Sequence, residues 1–284
     1  MKKAIVLTIK FVLAITFFVT FSSASLVKND FVGASRLVFV EYEEITFILE
    51  SDDLNIEDSD PVIIAHQILS YGKSELGRDL ICHSLAPQVY NKTILLNFAI
   101  HGFEDDYPHD GIVLTSTANA LLNYYIDNNI LEVTRLLIIP MANPDGLIDG
   151  TTNDSFGRCN ASGIDLNRDF DARWRINLPG RNYTPSPFSA AESQALRDLV
   201  LSYKPGIVLD FHGWLNITIG DTKLAVVFQE EMGLAHRRDF SSGCNGYFAF
   251  WAHTQGALGL LVEFKDSEID LHKLINAINR IIEN

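Results

Sequence analysis

The stretch "KTILLNFAIHGFEDDYPHDG" (Lys92–Gly111) decides the fold. Its first nine residues, Lys92–Ile100, form a continuous apolar run of strand length, the mark of a strand buried on both faces. Two histidines, four carboxylates and two glycines follow directly. Open parallel sheets collect their ligand sites beyond the carboxyl ends of the strands. The run after Ile100 therefore reads either as a solvated acidic loop or as part of a metal site.

Further strands and helices lie on either side. "PVIIAHQILSYGKSELGRDLICHSL" (Pro61–Leu85) reads as strand, turn, strand, with Gly72 and Gly77 bounding the turn. Upstream of it, Glu41–Leu49 reads as a short helix. Downstream, Ile112, Leu114, Ala118, Leu121, Leu122 and Tyr125 carry helical spacing over Gly111–Asp127. "TRLLIIP" (Thr134–Pro140) is a second buried strand, stopped by its proline. Residues 141–188 are polar and rich in Gly, Asn, Asp, Arg and Pro, and a loop region of that length in a compact domain is usually functional. Ser189–Tyr203 reads as a helix, with Ser189 as N-cap and Glu192 closing a capping box. "GIVLDF" (Gly206–Phe211) and Ala257–Phe264 are two more buried strands, and Ile269–Ile282 is an amphipathic helix. Apolar strands alternating with helices predict an α/β fold, with a mixed, largely parallel central sheet flanked by helices on both faces.

The chain of 284 residues is 47% hydrophobic, enough for one sizeable core. Its N-terminus stands apart. Lys2 and Lys3 precede the apolar run Ala4–Phe21, and Ser22-Ser23-Ala24 offers small residues for cleavage. Residues 1–24 read as a secretory signal peptide and 25–284 as one domain, which places the protein outside the cell or in the envelope. No membrane span is expected after cleavage. The net charge of −14 disfavours nucleic acid and anionic membrane as partners, and a monomer is expected. Of Cys82, Cys159 and Cys244, the last two lie in glycine-rich sequence and are the better candidate pair for a disulfide.

The chemistry gathers at the strand ends. His101 and Glu104 stand at H-x-x-E spacing just past one buried strand, and Gly102 between them permits a sharp turn. A hydrolytic zinc site needs three N or O ligands and one open position. His212, in "GIVLDFHGW", follows another buried strand and precedes a glycine, the same grammar. Zn2+ held by His101, Glu104 and His212 needs a base for its water. Glu263 sits inside the apolar strand "GLLVEF", where a carboxylate is costly unless paired or employed. Arg158 and the pair Asn167-Arg168 lie in the long loop, and arginine suits both an oxyanion and a terminal carboxylate. Asp105, Asp106 and Asp110 read as a solvated rim. There is no G-x-S-x-G elbow and no H-E-x-x-H helix, which argues against a serine hydrolase or a thermolysin-like enzyme.

From Glu41 to Asn284 these residues together resemble the zinc metallocarboxypeptidase family of the carboxypeptidase A type. "YGKSELGRD", "HGFE", "NPDG" (Asn143–Gly146), "GIDLNRDF", "PFSAAESQAL", "LDFHGW" and "LVEF" match its motifs in order. The resemblance implies zinc ligation by His101, Glu104 and His212. It implies that Glu263 activates water and protonates the leaving amine, and that Arg158 polarises the scissile carbonyl. Asn167 and Arg168 would grip the substrate's terminal carboxylate. Digestive members carry a mobile tyrosine before the glutamate; alignment on Trp251 places Ser242 there, and Tyr247 is the nearest tyrosine and the candidate substrate-binding residue. Ala249 and Phe250, at the expected pocket position, offer no acid to select a basic side chain. The size, the signal-like N-terminus and the altered tyrosine resemble the bacterial branch that cuts γ-D-glutamyl–diaminopimelate bonds or trims muropeptides, so the expected partner is a peptide or muropeptide. The alternatives are a zinc amidase or deacylase of the same fold acting on acyl-amino acids, and a non-catalytic muropeptide-binding module.

Overall fold

Two strands, β1 (Ala4–Leu13) and β2 (Glu41–Glu50), pair antiparallel along their full length, Ala4 opposite Glu50 and Leu13 opposite Glu41. They belong to the first of two units, residues 1–60; the second spans residues 61–284. The structure, a computed structural model, describes residues 4–13, 41–50, 64–149, 157–177, 180, 182–240 and 243–284. The expected helix over Glu41–Leu49 is therefore a strand. Ile45, Thr46, Phe47 and Ile48 are β-branched or aromatic, types that favour a pleated strand with a partner over an isolated short helix. The expected cleavage site at Ala24 lies outside the described residues.

The second unit runs β3 (Ile64–Lys73), β4 (Asp79–Pro87), β5 (Lys92–Phe98), α1 (Gly111–Asn128), β6 (Thr134–Ile139) and the short α2 (Pro144–Asp149). It continues with α3 (Ala191–Tyr203), β7 (Ile207–Gly213), β8 (Ile217–Gly220), α4 (Thr222–Met232), β9 (Ala235–Arg238), α5 (Phe248–Thr254), β10 (Leu258–Phe264) and α6 (Leu271–Glu283). One eight-stranded sheet forms, in the order β3-β4-β6-β5-β7-β10-β8-β9. The neighbours β6, β5, β7 and β10 are parallel, and β3, β4 and β8 join by antiparallel pairing. This is the mixed, largely parallel sheet expected from the apolar runs. No element was read between residues 215 and 256, so β8, α4, β9 and α5 are additions. Among the described residues no helix is long and apolar enough to cross a membrane.

Strand alternation splits the core into two layers. On one face Leu96, Phe98, Leu209, Phe211, Val262 and Phe264 pack under α1, α4 and α6. Phe98 stacks on Phe211 at 4.4 Å between ring centroids, and Phe211 on Phe264 at 5.6 Å. On the other face Leu95, Leu137, Val208 and Leu261 pack under α3 and α5. That second face turns polar toward the carboxyl ends of β5, β7 and β10. Asn97 lies beside Asp210 in register, and Glu263 beside His212. The parallel register thus delivers polar side chains from three strands to one end of one face.

Helix α3 corrects the expected capping box. It begins at Ala191, and Ala190 is the N-cap, with no side-chain cap of its own. Asp169 supplies the acceptor instead, taking the Ala190 amide at 2.9 Å and the Ser193 hydroxyl at 2.5 Å. Glu192 points elsewhere, as described below. Cys82, Cys159 and Cys244 are all buried, and Cys159 and Cys244 are thiols, so the expected disulfide is not formed in this structure.

Candidate active site

Strand β5 ends at Phe98, and Ala99 turns the chain with φ of 49°. The sharp turn thus belongs to Ala99; Gly102 serves a different need. A Cβ on Gly102 would lie 2.4 Å from the Leu147 amide and 2.6 Å from the Gly157 carbonyl oxygen. Only glycine lets "HGFE" pass this close to the backbone of two other segments. The loop is then fixed by Asp110. Its carboxylate accepts the Glu104 amide at 2.5 Å, the Asp106 amide at 3.0 Å and the Trp214 indole N–H at 2.8 Å. Asp110 is fully buried, so it is not the solvated rim residue expected; Asp105 and Asp106 are exposed. A carboxylate that satisfies three donors organises a loop, whereas one in water organises nothing.

His101, Glu104 and His212 converge, all buried, with candidate ligand atoms within 4.8 Å of one another. His101 Nδ1 stands 3.2 Å from Glu104 Oε2, and His212 Nδ1 stands 3.1 Å from Glu104 Oε1. The outer nitrogens are also engaged. His101 Nε2 faces Asp165 Oδ1 at 3.0 Å, and His212 Nε2 faces Asp210 Oδ2 at 3.0 Å. Asp210 is steadied in turn by the Asn97 amide, 2.8 Å away. A proton on each Nε2, donated to its carboxylate, leaves each Nδ1 as a lone pair facing the Glu104 carboxylate. Three buried acceptors that converge on one point need a cation. Ligands of a tetrahedral zinc at about 2.1 Å stand about 3.4 Å apart, close to the spacings seen here. The donor set, the geometry and the carboxylate–imidazole pairs behind it all fit Zn2+.

The electrostatics agree. Burial opposes a charged ring at His212, but Asp210 and Glu104 outweigh it and raise its pKa well above the ordinary imidazole value. Burial likewise opposes the Glu104 carboxylate, and His212 and His101 outweigh it to hold its pKa at about 2. Without a metal, a proton takes the cation's place. Asp165 stays ionised for a related reason: Arg158, Arg168 and His101 overcome its burial and hold it far below the usual carboxylate range.

These residues line a cleft of about 550 Å³ together with Arg158, Asn167, Arg168, Tyr247 and Glu263. Glu263 is partly open to the cleft, yet its Oε2 is buried with no hydrogen-bond partner. Burial pushes its pKa up to about 8, against the pull of His212 and Arg158. Arg158 is 6% exposed and reaches Asp165 at 3.4 Å and Asp105 at 3.7 Å. Its carbonyl accepts the Asn143 side-chain amide at 3.2 Å, so "NPDG" holds the loop that carries Arg158. Asn167 and Arg168 lie in a single 3-10 turn, Leu166–Arg168, capped by Asp165. Asn167 accepts the Phe248 amide at 2.8 Å, and Arg168 donates to the Asn167 carbonyl at 2.9 Å. The Arg168 guanidinium lies 4.5 Å from the centre of the Tyr247 ring. Ser242 lies outside the described residues.

Every site residue expected from the sequence therefore reaches one cleft. The expected pocket residues Ala249 and Phe250 do not line it; they are buried, and the apolar lining includes Ile219 and Leu261. Those two are directly opposed across β8 and β10, on the same face as Glu263 and two residues deeper. Sequence reasoning missed Asp165, Asp210 and Asn97, which set the two imidazoles. Asp210 carried a signal: like Glu263, it is a charge inside an apolar strand.

A zinc carboxypeptidase family model matches residues 56–222, more than half of the chain. Bacteriocin BCN5 of Clostridium perfringens is 33% identical over 238 residues, which cover 78% of this chain and 26% of that protein. The chain thus spans about a quarter of this relative's length. Bovine thrombin-activatable fibrinolysis inhibitor, solved with a tick carboxypeptidase inhibitor, matches with a TM-score of 0.63 at 16% identity, over 77% of this chain and 89% of that one. Murein-tripeptide amidase MpaA from Escherichia coli O157 matches with a TM-score of 0.57 at 22% identity, over 76% of this chain and 92% of that one. At these identities the two structures share the fold with this chain. Family motif, fold and ligand geometry agree, and the chain belongs to the zinc carboxypeptidase family.

Proposed function

We propose that this protein is a secreted, zinc-dependent carboxypeptidase that hydrolyses the C-terminal amide bond of peptidoglycan stem peptides of the γ-D-glutamyl–diaminopimelate type. The observation that carries the hydrolytic reading is one cleft holding a three-acceptor metal cradle, an unpaired buried carboxylate oxygen and two arginines. Zinc bound by His101, Glu104 and His212 supplies Lewis acidity and lowers the pKa of a water molecule. The protein's own groups do the rest. Glu263 takes the proton of the attacking water and passes it to the departing amine; a carboxylate raised toward neutral pH is suited to both transfers. Arg158 is held by Asp165 beside the metal cradle, where it stabilises charge growing on the scissile carbonyl oxygen. Arg168 and Asn167 bind the substrate's terminal carboxylate, which restricts cleavage to the chain end. Tyr247, under the Arg168 guanidinium, flanks the bound residue.

The substrate class draws support from two similarities: one relative is named a bacteriocin and one structural neighbour a murein-tripeptide amidase. Export draws support from Lys2-Lys3, the apolar run to Phe21 and the small residues to Ala24. The test is mass spectrometry of zinc-loaded protein with L-Ala-γ-D-Glu-meso-diaminopimelate and, separately, an ordinary L-peptide ending in an apolar residue. Release of diaminopimelate alone, lost in Glu263→Gln, is the expected result. Trimming of the ordinary peptide alone would overturn the cell-wall assignment, and binding without cleavage by zinc-loaded protein would overturn the enzyme assignment.

A further inference from the structure

Arg158 sits on a loop with no regular secondary structure, so no hydrogen-bonded ladder places it. Asn160 does the local work. Its Oδ1 accepts the amides of Ser162 at 3.1 Å and Ile164 at 2.9 Å. Its own amide donates to the Ile164 carbonyl at 3.0 Å, and its carbonyl accepts the Gly163 amide at 2.9 Å. Residues 160–164 are thus folded around one side chain. Arg158 stands two residues before this fold and its ion partner Asp165 directly after it. Both ends of the Arg158–Asp165 pair are therefore carried by Asn160.

Asn160 has one donor left over. Its Nδ2 points into the protein and donates to Glu192 Oε2 at 2.8 Å. Glu192 is fully buried, and its other oxygen accepts the Glu75 amide at 3.1 Å. A buried carboxylate costs free energy unless it is employed. Helix α3 does not employ it, because Asp169 already serves the first turn of that helix. What Glu192 joins is the turn at Ser74–Arg78, helix α3 and the loop of Arg158. We propose that Glu192 is a positioning residue: through Asn160, its buried carboxylate sets where the Arg158 guanidinium stands in the cleft. This rests on the role given to Arg158 above.

The hydrogen-bond directions supply a test. In Glu192→Gln the side chain has one acceptor where two donors must be met, from Asn160 and Glu75. Asn160 cannot flip to help, because its oxygen is already used by Ser162 and Ile164. Adding Asn160→Asp reverses the bond: the new carboxylate keeps both backbone acceptances and accepts a hydrogen bond from the new amide across from it. With L-Ala-γ-D-Glu-meso-diaminopimelate and saturating zinc, E192Q is expected to lose roughly 10- to 100-fold in kcat, the scale of a displaced catalytic group. KM should stay within about threefold, because the Arg168 side chain has contacts of its own, the Asn167 carbonyl and the Tyr247 ring. The double variant E192Q/N160D should recover kcat to within about threefold of the unaltered protein, which a general loss of stability would not allow. In an Arg158→Gln background, itself down roughly 10²–10³-fold in kcat, E192Q should cost nothing more.

An unchanged kcat in E192Q, or losses that multiply with R158Q, would overturn the proposal. Where E192Q yields no folded protein, N160D alone carries the same comparison, since it keeps the loop bonds and loses the donor to Glu192. If R158Q or the unaltered protein shows that Arg158 has no part in turnover, the function assigned to Arg158 fails. Amide exchange at Ser162 and Ile164 then decides the anchor independently: faster exchange there in E192Q supports it, and unchanged exchange refutes it.

Discussion

The cleft has two halves built by different physics. The half that holds the candidate metal ligands and Glu263 hangs from the ends of β5, β7 and β10, where sheet register aligns Glu263 with His212 and Asp110 pins the turn that carries Glu104. The half that carries Arg158, Asn167 and Arg168 is irregular loop, placed by the buried carboxylates Asp165, Asp169 and Glu192. A ladder fixes a strand through many equivalent bonds, so no one of them is indispensable. A loop pinned by a few carboxylates depends on each. On this reading the metal cradle and the base belong to the sheet, while carbonyl stabilisation and carboxylate recognition belong to the loop, and the comparison can be broken by variants that move the wrong parameter.

The largest contrast is between Glu263 and Arg168. Glu263→Gln keeps the shape and removes the base, so kcat should fall roughly 10²–10⁴-fold with bound zinc unchanged. Arg168→Gln removes a charged partner of the terminal carboxylate. Its cost should be roughly 10- to 150-fold in kcat/KM, the range of one charged hydrogen bond, and most of it should fall on KM. Steady-state kinetics with zinc analysis checks both. A fall confined to KM in the Glu263 variant would dissolve the division of labour.

The same division governs what the sequence discloses. His101, His212 and Glu263 are legible because each stands in or directly after an apolar run that periodicity locates, and Glu104 because it follows His101 at H-x-x-E spacing. Ile94–Phe98 and Val208–Phe211 could hardly be anything but buried strands. The residues that place the loop give no such signal. Asp165, Asp169 and Glu192 lie outside any long apolar run, and their partners, such as Thr184 or Asn160, are fixed only by tertiary packing. Ser189 and Glu192 show how this misleads: a capping box is the cheapest local use for such a pair, and the fold spends Glu192 on a long-range contact instead. Asp110 misleads similarly, because acids in a polar loop are usually solvated. The error at Glu41–Leu49 has another source, since a ten-residue strand defined by one partner carries no periodicity that excludes a helix.

The two imidazoles sharpen the comparison on a smaller scale. Asp210 backs His212 from the same strand, two residues away, whereas Asp165 backs His101 from the loop, 64 residues on. Asp210→Asn and Asp165→Asn should each weaken zinc binding roughly 10- to 100-fold, the usual cost of losing an outer carboxylate. They should part company at saturating zinc. D210N leaves Arg158 untouched and should recover its kcat. D165N also removes the partner of Arg158 and should keep a deficit. Zinc titration followed by kinetics on the loaded variants separates the outcomes, and equal recovery would show that the loop half plays no part in turnover.

The smallest effect is a proton. In the metal-free protein His212 holds its proton well above pH 6.5, because Asp210 and Glu104 outweigh its burial. Zinc needs that lone pair, so binding at pH 7 should expel about one proton, and apparent affinity should rise about tenfold per pH unit up to the raised pKa. Stability runs the other way. A group whose folded pKa is raised stabilises fully below its unfolded value and loses that contribution as pH climbs through the folded value. Glu104 has the opposite sign: its pKa of about 2 gives a contribution present above the ordinary carboxylate value and lost as pH falls toward 2. The metal-free protein should therefore lose thermal stability as pH rises from neutral, over the range in which it gains affinity for zinc. Calorimetric titration in two buffers of different ionisation enthalpy counts the proton. In D210N the raising carboxylate is gone, so the count at pH 7 should drop below one. A count unchanged in D210N would mean that the proton belongs elsewhere, and that the strand half of the cleft is not set by its own strand.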